Sequence, residues 1–212
     1  PNEILFYSRW KTMLADSLHP FDDIVKNDED NLRLAEAALW FARDHYEDLD
    51  VTLCIERLNE LARRVPQTGV YTPAEMVEAL QSVLIDQEMY RGNLTNYYDP
   101  RNSFLNEVLE RRTGIPISLS VIWLDVAEQL GWPFEGVGLP GHFVVKCSMG
   151  SDELLIDPFH KGKILDRGAC QQLVTETTGR PIVLVDEHFQ SVSKKLTLAR
   201  MLNNLHMIYL QR

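Results

Sequence analysis

The feature that most restricts the fold is an apolar helix followed directly by two apolar strands. Thr113-Gly114 breaks the chain, and the stretch up to Gly131 then carries Leu119, Ile122, Val126 and Leu130 at helical spacing, with Trp123 beside them. A helix with so little polar surface lies inside a domain. His142-Phe-Val-Val-Lys-Cys147 and Leu154-Leu-Ile-Asp157 follow, separated by Ser148-Met-Gly-Ser-Asp-Glu153, and read as an antiparallel hairpin. Phe143, Val145, Leu154 and Ile156 fall on one face of it, which implies a sheet covered on both sides.

The first ninety residues supply amphipathic helices for that cover. Ile4, Phe6, Trp10, Met13, Leu14 and Leu18 form an apolar stripe ended by His19-Pro20. Asp28-Glu-Asp-Asn31 places caps and negative charge ahead of a helix carrying Leu34, Ala35, Ala38, Leu39 and Ala42. Asp50 reads as the N-cap of the next, with Leu53, Cys54, Leu58, Leu61, Ala62 and Val65 on one side. Thr72-Pro-Ala-Glu75 combines a capping box with proline at the first helical position. Later, Ser103 caps a short helix, Arg167 to Thr178 reads as a helix, Ile182-Val-Leu-Val185 as a last strand, and Lys194 to Arg212 as a terminal helix. The expected class is α+β: a helical region over 1–91, a core over 92–190, and a C-terminal helix from 191.

Composition narrows the function. A formal charge of −10, from 21 basic and 31 acidic residues, disfavours direct nucleic-acid binding, which requires a neutralising basic surface. Three cysteines form an odd set without zinc-finger spacing, pointing to a reducing cytoplasm. No apolar run has the length of a membrane span, and no basic-plus-apolar signal pattern opens the chain. Nothing in the pattern calls for a cofactor.

The candidate site lies in the same central stretch. Ser118 and Ser120 occupy the first turn of the buried helix, where amides and the helix dipole favour negative charge. Ser118 reads either as an N-cap or as an activated nucleophile. A turn centred on Met149-Gly150 sets Val144 opposite Leu155 and His142 opposite Asp157, with beta carbons roughly 4.5–5.5 Å apart. That spacing suits an imidazole–carboxylate hydrogen bond. Cys147 cannot serve His142, being about 16 Å along the strand and on the other face. His142, Asp157 and His160 could converge on a metal, but Asp157-Pro-Phe-His160 is not a recognised ligand spacing, and no metal is expected.

Arg91-Gly-Asn-Leu94, Tyr97-Tyr-Asp-Pro-Arg-Asn-Ser-Phe-Leu-Asn-Glu-Val108, Arg111-Arg-Thr-Gly-Ile-Pro-Ile-Ser-Leu-Ser120 and Gly136-Val-Gly-Leu-Pro-Gly-His-Phe-Val-Val145 together resemble the bacterial SirB family of the transglutaminase-like superfamily. The resemblance implies a transglutaminase-like (papain-like) core. It also implies tetratricopeptide repeats further on, to which Ala199-Arg-Met-Leu-Asn-Asn-Leu-His-Met-Ile-Tyr209 looks like the lead-in. In that superfamily a cysteine starts the buried helix, a histidine opens the next strand and an aspartate follows on its neighbour. His142 and Asp157 match this order, while Ser118 stands in the region where the cysteine is expected.

The expectation is therefore a noncatalytic binding or regulatory module with a protein or peptide partner, its cleft built on Ser118, His142 and Asp157. The other reading is a serine-dependent hydrolase or acyltransferase, with Ser118 attacking a carbonyl, His142 as base and Asp157 orienting the imidazole.

Overall fold

The computed structural model describes residues 20–66, 69 and 71–210, so the apolar stripe from Ile4 to Leu18 lies outside the described residues. The first described element is helix α1 (Pro20–Lys26). Three helices follow: α2 (Leu34–Arg43), α3 (Val51–Arg64) and α4 (Pro73–Gln81), the last running on into a π-helical turn over Ser82–Gln87. Their starts are set locally where cap and partner are close. The Asp50 carboxylate accepts the Leu53 N–H at 3.0 Å. At α4, Glu75 accepts the Thr72 N–H at 2.7 Å while Thr72 Oγ1 accepts the Glu75 N–H at 3.3 Å.

The acidic run before α2 behaves differently from expectation. Glu29–Asn31 forms its own 3-10 turn, and the residue preceding α2 is Arg33. Glu29 instead accepts the N–H groups of Lys194 and Lys195, at 2.8 and 3.3 Å. It thus caps the terminal helix, α8 (Lys194–Leu210), where four amides lack partners within the helix. Arg33 reaches into the core as a bidentate pair, its Nε and Nη2 each 2.8 Å from an oxygen of the buried Asp125.

Asp125 belongs to α6 (Pro116–Gln129), which the sequence places inside and the structure buries over eleven of its fourteen residues. Before it come β1 (Arg91–Gly92), α5 (Leu105–Arg111) and β2 (Thr113–Gly114), β1 and β2 forming a small parallel pair. Ser103 does not cap α5: Phe104 occupies that position, and the Ser103 hydroxyl has no partner among the described residues.

The main sheet is antiparallel in the order β6-β5-β4-β3-β7, with β3 (Phe134–Val137), β4 (Val144–Met149), β5 (Asp152–Asp157), β6 (Lys163–Leu165) and β7 (Ser191–Val192). Phe143, Val145, Cys147 and Ile156 join one core with α6 and the preceding helices. On the opposite face Val144, Leu155 and Leu165 pack against Cys170 and Val174 of α7 (Arg167–Thr178). Both faces are covered, and the class is α+β as expected.

Two expectations about strands are corrected. In the hairpin, Val145 pairs with Ile156 and Lys146 with Leu155, so the turn is Gly150-Ser151. Gly150 takes a φ of 63°, and a two-residue hairpin turn places such a residue first of its central pair. Relative to the expected register the strands slide by two residues, which keeps every side chain on its face. The segment 182–185 is not a strand: Gln171 of α7 donates to the Ile182 carbonyl at 2.5 Å and accepts the Leu184 N–H at 2.8 Å. Those backbone groups are spent on a helix side chain, and Val183 and Val185 stay exposed.

Candidate functional site

Asp157 closes β5 and begins a 3-10 turn, Pro158–His160. Its Oδ1 accepts the N–H groups of Phe159 and His160, at 3.0 and 3.3 Å. That cap aims Oδ2 at two imidazoles: His142 Nε2 at 3.1 Å and His160 Nδ1 at 2.7 Å. The expected His142–Asp157 bond therefore forms despite the register shift, because a diagonal neighbour on the same face remains within reach of a ring. Burial by itself would raise the Asp157 pKa, but the hydrogen bonds from His142 and His160 outweigh it and hold the carboxyl well below the usual carboxylate range. The same bond to Asp157 raises the His160 pKa against the effect of burial.

An ionised carboxylate only accepts, so the His142 proton facing Asp157 lies on Nε2, and in the neutral imidazole the lone pair then falls on Nδ1. Nδ1 has no hydrogen-bond partner among the described residues. This is the tautomer a general base needs.

Ser118 is placed elsewhere. It is fully buried, donates to the Asn102 carbonyl at 2.6 Å and accepts the Ile115 N–H at 3.1 Å. Helical side chains lean toward their own N-terminus, so a serine in the first turn reaches back to the chain entering the helix. Asn102 is itself tied down: its amide nitrogen donates to the carbonyls of Asn96 and Tyr97, at 2.8 and 3.1 Å, and its Oδ1 accepts from Asn93 at 3.0 Å. A β-carbon at Gly114 would lie 2.7 Å from Ser118 Oγ, so only glycine lets the two strands of chain approach. The structure brings His142 and Asp157 together; it engages Ser118 in a separate network. The Ser120 hydroxyl is buried with no partner among the described residues.

What faces His142 is a cleft of about 330 Å³. The first turn of α6 contributes Pro116 and Ile117, and α8 contributes Arg200, Asn203 and Asn204. Arg200 is not singled out in the sequence, where its stretch reads only as part of a terminal helix and a repeat lead-in. A signal existed: an arginine and an Asn-Asn pair interrupt the apolar positions of a terminal helix. Arg200 Nη2 donates to the carbonyls of Leu139 and His142, at 2.9 and 3.1 Å, and the guanidinium carbon lies 5.5 Å from the Phe143 ring centre. A β-carbon at Gly138 would come within 2.0 Å of Arg200 Nη1, so that glycine gives the arginine its entry.

The two fully buried thiols do not supply the site. Burial pushes the pKa of Cys147 and of Cys170 up to about 11, so both stay protonated and unreactive near neutral pH. His142, Asp157 and His160 offer ligand atoms within 4.8 Å of one another, a closer convergence than their sequence spacing advertises. Two imidazoles and a carboxylate could hold a divalent cation there, at the cost of the hydrogen bonds that now span the gap.

The chain matches the transglutaminase-like superfamily over residues 52–203. A UPF0162 protein of Xylella fastidiosa is 38% identical to it over 196 residues, 89% of this chain and 69% of that protein. A UPF0162 protein of Vibrio cholerae is 26% identical over 183 residues, 85% of this chain and 67% of its own length. F-box only protein 21 of Homo sapiens is 36% identical over 140 residues, covering 62% of this chain and 21% of that protein. No solved structure matches the chain.

Proposed function

This chain belongs to the transglutaminase-like superfamily and is a relative of the UPF0162 proteins, and on that premise we propose that it is a noncatalytic binding or regulatory module whose groove is the cleft beside His142. The observation that carries the reading is the wall opposite the imidazole. Where the superfamily resemblance leads one to expect a nucleophile, Pro116 and Ile117 present hydrocarbon to the cleft. The nearby hydroxyl of Ser118 is held by Asn102 and Ile115. A serine becomes a nucleophile through contact with a base, and Ser118 makes its contacts with backbone.

The use of a similar 140-residue stretch as about a fifth of F-box only protein 21 supports a modular role. The proposal includes the finer expectations: kinship with the SirB family, tetratricopeptide repeats beyond α8, a protein or peptide partner, and a cytoplasmic setting. The charge of −10 supports a partner other than nucleic acid. Among the described residues no helix is long and apolar enough to cross a membrane.

The alternative, a serine-dependent hydrolase or acyltransferase, is favoured by one observation: the ordered His142–Asp157 pair with its Nδ1 free. A fluorophosphonate probe separates the two. The expected result is labelling no greater for the parent protein than for Ser118→Ala. Labelling that disappears in both Ser118→Ala and His142→Ala would overturn the noncatalytic reading.

A further inference from the structure

We propose that the cleft is a carboxylate-binding site anchored by Arg200, taking the free carboxylate of a small acid or of a peptide C-terminus. The proposal rests on the reading of this cleft as a binding groove and names what it binds. Arg200 carries a half-buried cation with no carboxylate partner among the described residues, in a chain with ten more acidic than basic side chains. A guanidinium has five N–H donors, and only those of Nη2 are used, on the Leu139 and His142 carbonyls. None of its nitrogens is among the buried, unpartnered atoms of the described residues, so the spare donors are open to a ligand.

The surroundings choose the anion. Among the described residues no acidic side chain lines the cleft, and no second arginine or lysine joins Arg200 there. One cation matches a carboxylate's single charge better than the nearly double charge of a phosphate monoester, and the Nε and Nη1 donors that the loop carbonyls leave unused can each give a single charge-assisted bond to a carboxylate oxygen. The first turn of α6 borders the same space through Pro116 and Ile117; proline has no N–H, so Ile117 is the lining residue there with a backbone amide, and the helix dipole adds partial positive charge. Asn203 and Asn204, each able to donate and accept, suit an amide next to the carboxylate. A volume of about 330 Å³ is at the small end for ligand sites, so the occupant is one or two residues in size.

The test is titration of the full chain, followed by amide and arginine side-chain NMR shifts, with four probes: an N-acetylated dipeptide with a free C-terminus, the same dipeptide as its C-terminal amide, succinate and inorganic phosphate. Saturable shifts around Arg200 and Gly141 are expected with the free-acid dipeptide or succinate and not with the amide. The dipeptide acid outbinding succinate assigns the peptide terminus; the reverse assigns a small acid. Arg200→Gln should weaken binding at least tenfold, with partial recovery in Arg200→Lys. Because Arg200 also holds the Leu139–His142 loop, Asn203→Asp is the second variant. That side chain is exposed, and a negative charge there should weaken the acid about tenfold by like-charge repulsion while the fold is retained. Equal binding of acid and amide, preference for phosphate, or indifference to Asn203→Asp overturns the carboxylate assignment. If that assignment fails while fluorophosphonate labelling is absent, the binding-module reading stands without it. His142-dependent labelling would remove the reading itself.

Discussion

Two polar networks are buried within this segment, one centred on Asn102 and one on Asp157, and both residues have no exposed surface. The Asn102 network is neutral and closed. Its members are asparagines, a serine and backbone groups, and it fastens the loop around Asn93–Asn102 to the start of α6. The Asp157 network is charged and opens outward, through His160 on the surface and His142 at the cleft. Neutral hydrogen bonds can be sealed inside because each group is satisfied on the spot. A buried carboxylate needs cations or proton donors beside it, and here both imidazoles that serve it retain a route to solvent or ligand. Ser118, which the sequence offers either as a helix cap or as a nucleophile beside His142, makes its bonds within the first.

The largest expected effect separates the networks by charge. Asp157→Ala should lower the unfolding free energy by about 3–5 kcal/mol, since two histidines and two turn amides lose their acceptor; urea denaturation measures it. A loss smaller than that of Asn102→Ala would reverse the ranking. Next, Ser118→Ala should cost about 1–3 kcal/mol by removing its bonds to the Asn102 carbonyl and the Ile115 amide, at roughly 0.5–1.5 kcal/mol each, although those two groups keep a 3.3 Å bond to each other; the chemical shifts of His142 should be unchanged. A shift of the His142 ring resonances without loss of stability would return Ser118 to the cleft. Gly114→Ala, which drives a methyl against Ser118 Oγ, should cost about 1–3 kcal/mol through strain in the same closed network.

The smallest effect is a pH dependence confined to the open network. Asp157 has a depressed pKa when folded, so its stabilisation is present above the unfolded value of about 3.9 and is lost as pH falls toward the folded one. His160 has a raised folded pKa, so its contribution is full below about 6.5 and is lost as pH rises through the folded value. Urea midpoints should therefore decline above about pH 6.5 in the parent protein, and His160→Gln should flatten that decline. An unchanged slope would mean that His160 is uncoupled from Asp157.

What the sequence made legible was local. The Thr72–Glu75 box and the Asp50 cap were readable because both partners lie within three residues. The limits of α7 were readable because Asp166 caps it, accepting the Ala169 N–H at 2.7 Å, and Gly179 ends it at a φ of 66°. The helix buried on all sides announced itself by composition. Errors arose where the deciding partner was distant. Glu29 looks like a cap for the next helix and caps one 165 residues on. At Ser118 the sequence left cap and nucleophile open, since its acceptor is a carbonyl 16 residues earlier. The hairpin register turned on which central position received the glycine's positive φ, and the His142–Asp157 pair survived the error because a slide of two preserves faces. Arg200 was illegible as a site residue because its environment is the Leu139–His142 loop.

That distance has a consequence for the order in which the molecule is made. Arg200 follows His142 by 58 residues, which at roughly 5–20 residues per second is an interval of about 3–12 s of synthesis. Once Leu165 has been added, the nascent chain can hold strands β3 to β6, the buried helix and the His142–Asp157 bond, while one wall of the cleft is still unmade. Glu29 waits longer, 165 residues or about 8–33 s, for the amides it caps. Ligand capture through Arg200 is thus available only to chains translated through α8, so an occupied cleft would also certify that synthesis had passed that helix.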